Sequence, residues 1–140
     1  MSGRPKVGVG LLVLKDGKVL MGKRTNAHGD GYYCGPGGHV EYGETIVECA
    51  KREALEETGL TVDNIRLLCV ADMLAFPPDH YLDIAVAADW VSGEVQNLEP
   101  HKRESWSWYD LNALPSPMWP GEERYFESLK SGTVYFGTLR

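Results

Sequence analysis

Val7–Leu14, VGVGLLVL, is an unbroken apolar run with the length of a buried strand. The polar KDGK after it supplies a turn, and Val19–Lys23 a second strand, so the two predict a hairpin. TNAHGDGYYCGPGG, crowded with glycine and turn residues, reads as a loop with at most short extended pieces. The pattern then turns helical. Thr45-x-x-Glu48 is a capping box and Gly59 stands where a C′ residue would, which predicts a helix over Ile46–Thr58. IRLLCVADMLAF and HYLDIAVAADW are β-rich runs separated by PPDH. SWSWY is a further strand with a short helical turn after it, and GEERYFESLKSG a C-terminal helix. Several strands with one central and one terminal helix predict an α+β or α/β sandwich. No repeat, low-complexity tract or linker interrupts the chain, so residues 1–140 are expected to form one domain.

The predicted helix carries Glu53, Glu56 and Glu57 near its C-terminal end, where the helix dipole disfavours negative charge. The three also repel one another at helical spacing. On a helical wheel they share an arc roughly 100° wide. Val47, Ala50 and Ala54 fall on a neighbouring arc that can bury against a sheet, with Leu55 beyond it. The carboxylate edge is then free to face a cleft, and hard divalent cations take such oxygen ligands together with substrate phosphates and water. A solvated face with its glutamates paired to Lys51 or Arg52 explains the run EALEE better when that run is taken alone.

Composition narrows the choice. A net charge of −6 argues against a nucleic-acid polymer or an anionic membrane as partner, but leaves room for an anionic small molecule held through a metal. Cys34, Cys49 and Cys69 form no CxxC pair, which excludes the usual zinc and disulfide frameworks and points to reduced thiols in the cytoplasm. The first apolar run is too short to span a bilayer and leads into no cleavage site.

The surroundings of the acidic run decide its meaning. Gly38, Glu44, Arg52, Glu53, Glu56, Glu57 and Gly59 stand at the spacing G-x5-E-x7-R-E-U-x-E-E-x-G-U, with Ala54 and Leu60 at the aliphatic positions. The chain therefore resembles the Nudix hydrolases. The resemblance implies an α/β/α sandwich around a mixed sheet, with the box as a loop–helix–loop, and Mg²⁺- or Mn²⁺-dependent hydrolysis of phosphoanhydrides. By position, Glu53, Glu56 and Glu57 become metal ligands, assisted by the Gly37 or Gly38 carbonyl, while Arg52 and Glu44 orient the carboxylates. Glu53 is the first candidate for general base, Glu99 in NLEPHKRESW the second, and Glu104 stands close by as another.

LMGKR, PGGHVEYGE, HYLDI and MWP are similar to the nucleotide-sanitising MutT relatives, which release pyrophosphate from nucleoside triphosphates, oxidised purine forms included. That likeness gives Arg24 a phosphate contact, turns His39 toward substrate and makes Tyr33 and Trp119 candidates for stacking on the base. At least one of Trp106 and Trp108 is assigned to the core, and His28 and His101, in polar loops, receive no role. Gly35 replaces the bulky apolar residue expected before PGG, which predicts an opened or reshaped base pocket. Hydrolysis of ADP-ribose, a nucleotide sugar or another diphosphate is the alternative within enzymes. A non-catalytic nucleotide-binding regulatory module is the alternative outside them. Many Nudix proteins pair as homodimers, the one protein partner the resemblance allows.

Overall fold

The computed structural model describes residues 3–25 and 30–139. Residues 26–29, early in the predicted glycine-rich loop and including His28, lie outside the described residues. In chain order the elements are β1 (Lys6–Lys15), β2 (Lys18–Arg24), β3 (Tyr33–Cys34), β4 (Gly37–His39), α1 (Ile46–Thr58), β5 (Thr61–Met73), β6 (Tyr81–Ser92), β7 (Arg103–Asp110), α2 (Glu122–Ser131) and β8 (Tyr135–Leu139).

All the strands belong to one mixed sheet, ordered β3-β2-β1-β6-β5-β8, with β4 also on β1 and β7 on β2. β1 runs parallel to β6 from Lys6↔Tyr81 to Leu14↔Asp89, and β5 returns antiparallel along β6. The predicted hairpin is present, but β1 and β2 stay paired only at Leu14↔Val19 and Lys15↔Lys18. Beyond that point they splay apart, and Gly8–Gly10 of β1 take β4 as partner instead. This divergence opens a cleft between β1 and the β2–β7 pair.

Alternation along β1 gives the sheet two buried faces. Val9, Leu11 and Val13 join Cys49, Ala50 and Ala54 of α1 in one core. Leu12 joins Tyr125 and Phe126 of α2 in the other. The result is the expected α/β/α sandwich.

α1 keeps its predicted limits because its ends are specified locally. Glu48 N donates to Thr45 Oγ1 at 3.1 Å, and Thr45 N donates to Glu48 Oε1 at 2.8 Å. Gly59, at φ 75°, ends the helix by donating its N–H to the Leu55 carbonyl. Its buried face departs from the wheel reading. Val47, in the first turn, is exposed, and burial begins with Cys49 and Ala50 and then takes in Glu53 and Glu57.

Three further expectations change. β5 starts at Thr61, directly after the helix, and ends at Met73. The short helical turn expected after β7 is a single non-helical turn, closed by Ala113 N donating to the Asp110 carbonyl, and Met118 further on bridges to Tyr33. β8 was not anticipated, and it adds parallel to β5 at the sheet edge.

Replacing Thr45 by alanine removes the side-chain acceptor for the Glu48 amide. The Thr45→Ala variant is expected to lose about 0.5–2 kcal/mol of unfolding free energy, read as a lowered urea midpoint with an unchanged slope.

Candidate active site

The cleft left by the splayed strands is a cavity of about 350 Å³. Part of its wall is bare backbone, supplied by Gly8 and Gly10 of β1 and Gly37 and Gly38 of β4. A β-carbon at Gly38 would collide with the Glu53 carboxylate, and one at Gly10 would come within 2.6 Å of the Tyr125 hydroxyl. Glycine at these places keeps the wall thin.

Two box carboxylates form one end. Glu53 and Glu57 are 8% and 2% exposed, yet both line the cavity. Glu57 Oε2 accepts from Gly37 N at 2.8 Å, and Arg103 Nη2 stands 3.8 Å from Glu57 Oε1. Burial pushes the Glu57 carboxyl up to about 8 and raises Glu53 as well. Glu56 points elsewhere, half exposed and held by Arg52 Nη1 at 3.1 Å. It does not line the cavity.

Arg52 fastens this end together. Its Nε and Nη2 donate to the two oxygens of Glu44 at 2.6 and 2.9 Å, and its Nη1 donates to Glu53 at 2.8 Å. Nη2 also donates to the His39 carbonyl at 3.1 Å. The arginine hydrogen bonds hold the Glu44 carboxyl down at about 2. Among the described residues, no three acidic, histidine or cysteine side chains are gathered into a ready metal cage. Glu53 and Glu57 nevertheless fit a hard divalent cation by chemistry. They are paired oxygen donors, both buried and both lining the cavity beside the Gly37 and Gly38 backbone.

The other end is aromatic and cationic. Trp119 and Phe76 stack at 6.0 Å between centroids, and the Arg24 guanidinium lies 5.8 Å from the Trp119 centroid. His39 lines the cavity, with its ring tilted against Tyr81 at 5.3 Å and burial lowering its pKa. Arg24, His39 and Trp119 are therefore brought to one site, as their sequence assignments require.

Tyr33 is not. Neighbours on a strand face opposite ways, and Cys34 takes the cavity side. The Tyr33 ring packs edge-on against Tyr109 in the α2-side core, so a stacking role for it is withdrawn. The reading of Gly35 also changes. A side chain there would strike the Leu11 carbonyl of β1 rather than fill the cavity, so the glycine serves close backbone approach. Of the loop glutamates, Glu99 pairs with Lys102 at 3.3 Å and is near enough for its charge to reach Glu57. Glu104 turns away to Lys23 at 3.4 Å.

Sequence reasoning missed Arg103, Glu122, Asp83 and Tyr125, all of which line the cavity. Glu122 accepts from Gly35 N at 3.1 Å, and the Tyr125 hydroxyl donates to Asp83 at 2.6 Å. Burial raises Glu122 to about 8 and Asp83 to about 6. Both acids sit on segments that read as ordinary strand and helix; the one available signal was a carboxylate inside a predicted buried strand, Asp83 in HYLDIAVAADW.

The NUDIX domain family model matches residues 4–129. The chain is 33% identical over 132 residues to the oxidized purine nucleoside triphosphate hydrolase of Danio rerio, covering 93% of this chain and 83% of that protein. It is 38% identical over 112 residues to an ADP-ribose pyrophosphatase of Methanocaldococcus jannaschii, covering 79% and 65%. The crystal structure of a MutT NUDIX hydrolase from Burkholderia pseudomallei superposes with a TM-score of 0.84 at 32% identity, covering 90% of this chain and 98% of that one.

The buried acids set a pH dependence. Glu122 and Asp83 have raised native values, so between the ordinary carboxylate range and about 8 the native state holds protons that the unfolded chain has released. Stability therefore falls as pH rises through that window. Melting of the metal-free protein in chelator is expected to drop by several degrees from pH 5 to 8.5, and Glu122→Gln to flatten the slope.

Proposed function

This chain belongs to the Nudix family of hydrolases acting on pyrophosphate bonds, and from that premise we propose that it hydrolyses a nucleoside triphosphate to monophosphate and pyrophosphate with Mg²⁺ or Mn²⁺. The observation that carries the reading is the polarity of one cavity. Paired box carboxylates occupy one end, and an aromatic and guanidinium surface occupies the other. A nucleotide has the same polarity, with phosphates at one end and a flat base at the other.

Glu53 and Glu57 would hold the cation together with the Gly38 carbonyl, and Glu56 would join them only by leaving Arg52. A bound divalent cation supplies charge neutralisation at the phosphate oxygens and a bound water of lowered pKa. Glu53 takes the proton from the attacking water. Glu99 is the second candidate, close to Glu57 but tied to Lys102. Arg52 orients Glu53 through the 2.8 Å bond. Trp119 offers the stacking face for the base, Arg24 a guanidinium for phosphate and His39 a wall between the two.

The ADP-ribose pyrophosphatase relative supports a second substrate reading, a dinucleotide-like diphosphate cut into two monophosphates. A silent binding module is disfavoured because every box carboxylate is retained. Cys34, Cys49 and Cys69 are buried free thiols, and no helix among the described residues is long and apolar enough to cross a membrane. Both suit an enzyme of the cytoplasm.

A Mg²⁺-dependent panel of common and oxidised nucleoside triphosphates, ADP-ribose and nucleotide sugars, with products weighed by mass spectrometry, tests the reading. Pyrophosphate plus monophosphate from a triphosphate is the expected outcome, and turnover of diphosphates alone would overturn it. Glu56→Gln and Glu57→Gln are each expected to lower kcat by roughly a hundredfold or more while the fold survives. Retained activity in both would remove the metal assignment.

A further inference from the structure

Two arginines that line the cavity each keep a buried donor with no acceptor among the described residues. Arg24 closes β2 and Arg103 opens β7, and the two are cross-strand partners. Both guanidiniums reach the same thiol: Arg24 Nη1 lies 3.6 Å and Arg103 Nη2 3.2 Å from Cys34 Sγ. Arg103 is 4% exposed. Its other acceptors are the Gly35 carbonyl at 3.2 Å and the Lys102 carbonyl at 3.3 Å, with Glu57 Oε1 at 3.8 Å and the Trp106 ring beneath it at 5.0 Å.

Among the described residues, the Nε–H groups of Arg24 and Arg103 are buried with no acceptor. So is the indole N–H of Trp119, the ring over which Arg24 lies. Three orphaned donors therefore belong to residues lining one cavity. Unmet buried donors are costly, and more so on charged groups, while a thiol is a weak acceptor. Two adjacent guanidiniums also repel in a low-dielectric site. The acidic side chains in reach do not settle this. Glu57 already accepts from Gly37 N, and Glu122 from Gly35 N.

We propose that Arg103, together with Arg24, forms an anion site that grips a phosphate group of the substrate beside the Glu53–Glu57 carboxylates. The inference rests on the phosphoanhydride reading above and adds to it a residue that carries charge from a place no box position marks. Phosphate fits better than a base edge. A base edge mixes donors with acceptors, whereas the pair offers donors and positive charge alone. Arg103 also stands next to Glu57, where the bond to be cut must lie. Its planar fork suits a tetrahedral oxyanion approached from the cavity.

The test separates anion binding from catalysis. Pyrophosphate is titrated by calorimetry into metal-free protein in chelator, using wild type, Arg103→Gln, Arg103→Lys and Arg24→Gln, each with a thermal melt. Wild type is expected to bind, and Arg103→Gln and Arg24→Gln to bind roughly tenfold more weakly or worse. Arg103→Lys keeps a buried cation without the fork and is expected to stay folded yet lose affinity; it decides the matter if Arg103→Gln melts out. An unphosphorylated nucleoside titrated into the same set is expected to respond to none of the Arg103 changes. No pyrophosphate binding by wild type, unchanged affinity in folded Arg103→Lys, or a loss that falls on the nucleoside instead would each overturn the proposal. Should wild type bind pyrophosphate through Arg103 but leave triphosphates intact, the substrate reading fails and the anion site stands. Should triphosphates be cleaved with Arg103 silent in binding, the reverse holds.

Discussion

The fork of Arg52 is the constraint on which the site depends. α1 ends with carboxylates where its dipole resists them, and no basic residue sits in its last turn. Arg52 answers this from the middle of the helix, touching Glu53 and Glu56 on its own element and Glu44 on the preceding loop. Its bond to the His39 carbonyl ties the same group to β4. A single planar cation thus joins helix, loop and strand and fixes the direction of the carboxylates they carry. A lysine in its place would offer one point of charge and could not span these partners.

What Arg52 does for one end, the divergence of β1 from β2 does for the whole cavity. Continued pairing would have closed the space with backbone. Instead β1 passes from β2 to β4 at Gly8–Gly10, and the gap is bordered by glycine on one side and by β7 residues on the other. α2 supplies the third border. Tyr125 bonds to Asp83, and Ser128 Oγ donates to the Leu68 carbonyl at 2.9 Å, which locks the helix to the sheet and brings Glu122 to Gly35. Burial raises Glu122 and Asp83 above the ordinary carboxylate range, Glu122 the further of the two.

Much of this was legible in the chain. α1 was bounded closely because its signals, Thr45 with Glu48 and then Gly59, are local and act within one turn. The hairpin and the β-rich runs followed from patterning, and the chemistry from residues at fixed spacing on one helix. What escaped depended on partners far along the chain. β8 is a short run whose pairing with β5 is parallel and remote, which a local pattern does not encode. Tyr33 was misplaced because the face of a two-residue strand depends on which neighbour turns inward. Arg103 sits in the polar stretch HKRES and reads as a solvated cation; only the assembled cavity makes it buried. Gly35 looked like a missing side chain, when the Leu11 carbonyl leaves no room for one.

The attachment of α2 has a consequence for how such chains are counted. Every residue of the box lies between Gly38 and Leu60, while the border formed by Glu122 and Tyr125 comes more than sixty positions later. A gene copy interrupted before that helix would still score as an intact family member by its signature. Its product would have carboxylates in order and a cleft open on one side to bulk water. For this architecture, an inventory of functional copies in a genome has to be taken at the C-terminal helix as well as at the signature.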